Sequence, residues 1–578
     1  MPVSALALLA VCTALPNVQE PGAPRLLVVG GTVVRTDGSP SLADAAVLIE
    51  GDRIVAVGPR GEVNAPPGTP TLDATGKWIV PGLVDGHVHF FQSAGIYTRP
   101  DILELRTERS YAAEQADIDA RLPDTFARYV RCGITTVVDV GGPDRNFAIR
   151  ERARAAALAP TVYCSGRLLT TWLPPAYAKL DDPPFAPVQS AAQCVAEVER
   201  QAALGADLIK VWYIVRRPDD VKANRPLLDA TVAAAAKHGL RVAVHATQLA
   251  AAREAVAAGA RVLVHSVEDG PVDADFVAAL QQTGTTYVPT LMVIEGYAEV
   301  LGRKRELLPI EWQLGQPEVI GTWLDLERLV RADQGLARRS QGWSARLQGR
   351  EVLFANLGAV RAAGGAIAAG TDAGNIGTLH GPSLFRELEL MIGAGMTPTE
   401  TLVAATRGGA RLLGKEDEFG DVAPGLRADL LVLPADPRVD IAALQRVEHV
   451  VLRGRLLATG NILRETPTQV VQRQLNAYNE RDIDRFAACY ADDVVVGNLG
   501  PDGPAEWMRG KDKLRARWGE RFASSPELHC RIENRIANGD TVIDNEFVTG
   551  VPGRGDTHAI AIYRVRDGLI ASVWFVRS

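Results

Sequence analysis

From residue 81 to about residue 372 the chain repeats one pattern, a short apolar run followed by an Ala-rich stretch that ends in glycine. The apolar runs are GLVDGHVHF (82–90), ITTVVDV (134–140), TVYCSG (161–166), DLIKVWY (207–213), RVAVHAT (241–247), RVLVHSV (261–267), TTYVPTL (285–291) and AIAAGTD (366–372). Runs of that length bounded by turn residues read as buried strands, and DATVAAAAKHG and AAREAVAAG read as helices closed by a C-terminal glycine. Eight strands alternating with helices predict an α/β fold, a (β/α)8 TIM-type barrel over residues 81–414.

The flanks have a different texture. Residues 25–80 hold short β-branched runs between Gly, Asp and Pro turns, and β texture returns in GDVAPGLRADLLVLPADP and VEHVVLRGRLL. The segments 25–80 and 415–462 are expected to join as one small β-sandwich beside the barrel. A polar, Arg- and Trp-rich insertion at about 300–350 is expected either to cover the barrel mouth or to pack as an outer helix. Residues 463–578 begin with a capped amphipathic helix pair and continue as strands, which predicts a separate C-terminal α+β domain.

Composition sets few limits. Of 578 residues 47% are apolar and 23% charged, and the net charge of −7 favours no nucleic-acid partner. Cys12, Cys132, Cys164, Cys194, Cys489 and Cys530 form no C-x-x-C pair, so neither a zinc knuckle nor a disulfide framework is indicated. Residues 1–24 read as a secretory leader, although the basic n-region is missing, so a secreted or periplasmic protein is expected, with a cytoplasmic one as the alternative. No stretch predicts a membrane span.

In a parallel barrel the C-terminal strand ends converge on one mouth. His87 and His89 end the first predicted strand, Lys210 lies on the fourth, His245 ends the fifth, His265 the sixth and Asp372 the eighth. Alternate strand residues share a face, so His87 and His89 can grip one ion while Val88 cannot. A single histidine in an apolar strand is more often a satisfied core residue. Four at predicted strand ends, with an aspartate, suit zinc or a similar first-row metal. Lys210 sits inside an apolar run, where its charge must be removed or paired, and a salt bridge is the plainer reading.

The chain from about 25 to 460 resembles the metal-dependent amidohydrolase superfamily, and within it the imidazolonepropionase-like and Xaa-Pro dipeptidase-like group. The matching stretches include PGLVDGHVH, GADLIKV, VAVHAT, VLVHSVEDG, GTDAG, HGPSLFRELELMIGAGMTPTETLVAAT and GDVAPGLRADLLVL. The resemblance implies two divalent metal ions, zinc by preference. It implies that His87 and His89 hold the more buried ion and His245 and His265 the more exposed one, with Lys210 carboxylated to bridge them. Asp372 would bind the first ion and move protons. Many relatives carry EHG around the sixth-strand histidine where this chain has VHSVEDG, so the ligand is kept in altered surroundings.

The implied chemistry is hydrolysis of an amide-type C–N bond, in a dipeptide, Xaa-Pro or N-acyl amino acid substrate, by a metal-bridging hydroxide. Tyr213 and His380 are candidates to orient a substrate carbonyl, and Arg216 and Arg217 to pair with a substrate carboxylate. Alternatives are hydrolysis of a cyclic amide, carbamate or ester, and a non-catalytic small-molecule-binding protein. The tail resembles the SnoaL-like, ketosteroid-isomerase-like cone, which implies a binding or homo-oligomerisation role, with Tyr478, Tyr490, Asp492 and His558 as candidates to face a cavity.

Overall fold

The computed structural model describes residues 24–329 and 334–576; the expected leader and Cys12 lie outside them. Among the described residues no helix is long and apolar enough to cross a membrane. The five described cysteines are all free and buried.

The chain is mixed α/β. Strands Leu83–Val88, Ile134–Asp139 and Thr161–Cys164 pair in parallel. Strands Leu208–Trp212, Arg241–His245, Val262–Val264 and Thr286–Val288 form a second parallel run. Two short strands that the sequence pattern did not suggest, Leu168–Thr170 and Phe185–Pro187, extend the edge of this second run.

The eighth predicted strand forms no ladder. Ile367 bridges Tyr287 and Ala373 bridges Val88 as isolated parallel pairs, which ties the two runs together on that side. On the other side Asp207 N–H donates to Cys164 O at 2.9 Å. The lack of a ladder has a local cause. A Cβ at Gly370 would stand 2.9 Å from both His87 N and His87 Cβ, and Asp372 turns into the left-handed region at φ 63°. The segment therefore crosses its neighbours closely but is extended only briefly.

The N-terminal strands and the strands after residue 429 share one eight-stranded sheet, in which Trp78–Pro81 pairs antiparallel with Leu430–Leu433. Its side chains alternate with the period of two that a strand imposes. Leu430, Val432 and Val451 enter a core made by the sheet's own strands, whereas Leu431, Leu433, Val450 and Leu452 enter the core of the parallel strands. One face thus closes the small unit and the other fixes it to the large one.

The C-terminal unit has helices Pro467–Glu480, Ile483–Ala488 and Lys511–Ser524 against a six-stranded sheet with a core of its own. Thr466 and Gln469 form a capping box at its start, with Pro467 in the first turn. It docks on helices Pro309–Leu314 and Pro317–Leu329 of the 300–350 insertion. Asn476 Nδ2 donates to Pro317 O at 2.7 Å, Arg473 donates to Gly315 O at 3.2 Å, and Trp312 packs against both cores. Of the four residues expected to face a cavity in this unit, Tyr478, Tyr490 and His558 line one. Asp492 does not: it points to solvent, 95% exposed, and pairs with Lys511 at 2.7 Å.

Candidate metal centre

The candidate ligands come from strands, from the residues just beyond them and, for Asp372, from the segment that forms no ladder; Lys210 stands in the middle of its strand. His87 lies on Leu83–Val88 and His89 one residue beyond it. Lys210 pairs with Ala243 and Trp212 with His245 across the next ladder, and His245 pairs with Val264, so His265 follows directly. His265 and Asp372 both sit at positive φ, 73° and 63°. Such backbone persists where the surroundings hold it. His265 N–H donates to Val288 O at 2.9 Å, and Asp372 N–H to His87 O at 2.7 Å.

The side chains converge. His87 Nε2 and His89 Nε2 lie 3.3 Å apart, and each points at Asp372 Oδ1, at 3.3 and 3.2 Å. Ligand atoms of His87, His265 and Asp372 all lie within 4.8 Å of one another. The His245 ring stands 4.4 Å from that of His265, which is 5.0 Å from that of His87. Lys210 is buried beside them, and its Nζ has no hydrogen-bond partner.

The protonation pattern tests whether this set fits a cation. His89 Nδ1 faces Gly141 O at 2.7 Å, and a carbonyl only accepts, so Nδ1 carries a proton and Nε2 is the atom turned toward Asp372. Burial, joined by the Lys210 charge, pushes His87 and His245 well below the usual imidazole range; burial and the neighbouring His245 do the same to His265. Imidazole nitrogens gathered around a buried carboxylate oxygen that has no hydrogen-bond partner are an arrangement that a cation between them would satisfy. The donor set of nitrogen and oxygen fits a divalent first-row ion.

Supporting groups surround this cluster. Asp85 accepts from Thr371 Oγ1 at 2.7 Å and from Thr371 N–H at 3.0 Å, and burial raises its carboxyl to about 7. Asp139 accepts from Phe90 N–H, Gly141 N–H and Asn146 Nδ2 at 3.0–3.1 Å. These two carboxyls fix the segments that carry His87, Asp372 and the carbonyl that orients His89. Thr290 Oγ1 meets His265 Nδ1 at 2.7 Å. None of the three was singled out in the sequence. The two aspartates had a signal, an acidic residue inside the buried runs GLVDGHVHF and ITTVVDV.

The residues expected to contact substrate divide. Tyr213 is buried and its hydroxyl donates to Val221 O at 2.6 Å, so it braces the turn after its strand. His380 is also committed, with Nε2 donating to Gln92 O at 2.8 Å and Nδ1 accepting from Tyr129 at 2.8 Å, its ring stacked on Phe90. Burial lowers it to about 4, which suits a neutral structural imidazole. Arg217 is 81% exposed and bound to Asp220 at the start of a helix. Arg216 is different: it lies 5.3 Å over the Trp172 ring, Trp172 packs on Trp212, and Trp212 packs on His245. Across the cluster, Trp343 of the insertion stacks on Tyr297, and Arg346 pairs with Glu268 at 2.6 Å.

Comparison with known proteins agrees with this arrangement. Residues 78–457 match the family described as "Amidohydrolase family", and residues 471–573 match the "SnoaL-like domain". An imidazolonepropionase of Rubrobacter xylanophilus is 31% identical over 452 residues, which is 72% of this chain and 91% of that protein. Among solved structures, a Xaa-Pro dipeptidase with bound methionine in the active site superposes with a TM-score of 0.57 at 22% identity, covering 75% of this chain and all (100%) of the other. An A. niger ochratoxinase superposes with a TM-score of 0.56 at 23% identity, covering 76% and 97%. Over residues 78–457 the chain belongs to the amidohydrolase family, hydrolases acting on carbon–nitrogen bonds, and it carries a SnoaL-like domain behind that region.

Proposed function

We propose that the protein hydrolyses an amide-type C–N bond in a small substrate bearing a carboxylate, of the dipeptide or N-acyl amino acid class, at a two-metal site at the mouth of a (β/α)8 barrel. The observation that carries this reading is the convergence of the His87 and His89 Nε2 atoms on Asp372 Oδ1, which has no hydrogen-bond partner, among four buried or half-buried histidines. The isolated bridges at Ile367 and Ala373, which join the two parallel runs, support the barrel reading. Named relatives support the reaction class: the similar proteins include an imidazolonepropionase and a Xaa-Pro dipeptidase.

His87, His89 and Asp372 would hold one divalent ion and His245 and His265 the other. Lys210, with a buried and unpartnered Nζ, would bridge them once CO2 has added to its free amine as a carbamate. Ions of this kind polarise a carbonyl and lower the pKa of water to near neutrality. Asp372 takes the proton released from the attacking water and delivers it to the leaving nitrogen. Asp85 and Thr371 hold the Asp372 turn in place through hydrogen bonds at 2.7–3.0 Å. Arg216 has no ion-pair partner among the described residues and stands at the outer end of the Trp172–Trp212–His245 series, so it meets the substrate carboxylate.

The test is metal analysis of the purified chain together with a screen of dipeptides and N-acyl amino acids. Close to two ions per chain and turnover of at least one such substrate are expected; a metal-free chain that turns over these substrates would sink the reading. With a substrate in hand, Arg216→Met is to raise KM about tenfold or more and leave kcat nearly unchanged, the mark of a group that binds ground and transition states alike. An unchanged KM removes Arg216 from the site. A cyclic amide, carbamate or ester substrate would use the same groups but not Arg216.

A further inference from the structure

The C-terminal unit encloses a cavity of about 870 Å3, separate from the His–Asp cluster and large enough for a drug-sized molecule. Its walls are aromatic, with Tyr478, Tyr490 and Trp518 among them. Five charged side chains also line it, Arg517, Glu520, Arg521, Glu546 and Arg554; of these Glu546 of strand Thr541–Thr549 is buried, and Arg521 lies on helix Lys511–Ser524. Glu546 is 7% exposed, and its Oε1 accepts from the Tyr563 hydroxyl at 2.7 Å. Among the described residues no other group donates to that carboxylate. Arg521 Nε is buried without a partner, while the guanidinium hydrogen-bonds the Tyr478 hydroxyl and is close enough to act on the ionisation of Glu546.

A carboxyl and a guanidinium with unfilled hydrogen-bonding capacity, among aromatic rings, are costly features unless something fills them. The docking of this unit on the insertion does not use them, since Arg473, Asn476 and Trp312 make those contacts. Nor does Asp544, which is held by Arg535 through two bonds of 2.6 Å. What the pair lacks is a ligand that offers a donor to the acid and an acceptor to the guanidinium, with a flat apolar part for the rings.

We propose that the C-terminal unit is a second small-molecule site, which takes an aromatic compound carrying a secondary carboxamide, its N–H directed to Glu546 and its C=O to Arg521. Binding there is independent of hydrolysis at the His–Asp cluster. The carboxamide needs both groups: an ester of the same shape supplies the acceptor and offers Glu546 no donor beyond Tyr563.

Titration calorimetry of the full chain with N-methylbenzamide, and with methyl benzoate as the partner lacking the N–H, tests this. To prevent turnover the titrations are made in the Asp372→Asn background. Saturable binding near one molecule per chain is expected, with methyl benzoate at least tenfold weaker. Arg521→Met and Glu546→Leu are each to weaken N-methylbenzamide at least tenfold while the far-ultraviolet circular dichroism stays native. Should Glu546→Leu unfold the domain, Arg521→Met and the ester comparison still decide. No saturable binding up to millimolar probe, equal binding of amide and ester, or full binding by a natively folded Arg521→Met variant would each overturn the proposal.

Discussion

Asp372 holds a carboxylate against two imidazoles from a left-handed backbone, and the Asp372 N–H to His87 O bond of 2.7 Å fastens it to the strand that carries both histidines. Asparagine tolerates that conformation nearly as well as aspartate, so Asp372→Asn removes the negative charge and proton acceptor without a backbone penalty. Hydrolysis is to fall by about 10²–10⁴, the usual worth of a positioned acid–base group, while the melting profile stays cooperative; a variant keeping most of its kcat assigns proton transfer elsewhere. Glu546 makes a second residue-scale prediction. Burial raises its carboxyl from 4.5 to about 7 despite the Tyr563 bond, so the folded state binds its proton more tightly than the unfolded chain does. The stability this contributes is complete below pH 4.5 and is lost as pH rises through about 7, to the extent of roughly 3 kcal/mol. Glu546→Gln cannot ionise, so the melting temperature of the wild type relative to the variant is to drop between pH 5 and pH 8; a gap that does not change with pH contradicts it. At this scale the histidines and Asp372 are legible because they stand at fixed places in apolar runs. Tyr213 and His380 stand at similar places, and only their partners in the fold, Tyr129 for His380 and the Val221 carbonyl eight residues on for Tyr213, reveal that their polar atoms are already used.

Among elements, helix Pro317–Leu329 has the most consequential position, between the strands that carry the histidine cluster and the C-terminal unit. On one side Trp323 Nε1 donates to Ala94 O at 2.9 Å and Ile96 N–H reaches Thr322 Oγ1 at 3.3 Å, on the turns that follow His89. On the other side Gly321 lets helix Pro467–Glu480 approach so closely that a Cβ would stand 2.8 Å from Gln472 Nε2 and 2.9 Å from Asn476 Oδ1. Gly321→Leu should force the helices apart and cost about 1–3 kcal/mol, the typical price of overpacking. It would show as earlier proteolytic release of the C-terminal unit, with the hydrolase region still folded. Unchanged proteolysis would mean that the two helices are not held by this contact. The insertion was visible in the sequence as a polar interruption, but which surfaces its side chains would meet was not. Trp343 stacks over Tyr297 near the cluster while Trp312 supports the other unit. The alternation of strands and helices was readable from buried apolar runs. The failure of the eighth run to form a ladder was not, because it depends on the close crossing at Gly370, a contact between segments nearly three hundred residues apart.

At the scale of the whole molecule, these contacts form one continuous path: the C-terminal unit rests on Pro317–Leu329, that helix holds the turns at Ala94 and Ile96, and those turns continue the segment bearing His87 and His89. No sequence pattern announces such docking, since Asn476, Arg473 and Trp312 are ordinary residues until their partners are known. On the proposed reading the cluster contributes to the fold's stability as well as to its chemistry. If cations lie between the histidines and Asp372, their binding stabilises the native state by about 3–4 kcal/mol when the ions are present at 100 to 1,000 times their dissociation constants. Dialysis against a strong chelator is therefore to abolish hydrolysis and lower the melting temperature, and added zinc is to restore both. Hydrogen exchange should locate the loosening at residues 87–96 and 370–375 first and spread it to the helix at 317–329, with the C-terminal sheet least affected. A chain that keeps its melting temperature and its exchange pattern after complete removal of metal would show that the cluster carries no ion in the folded state, and the two-metal reading would fall with it.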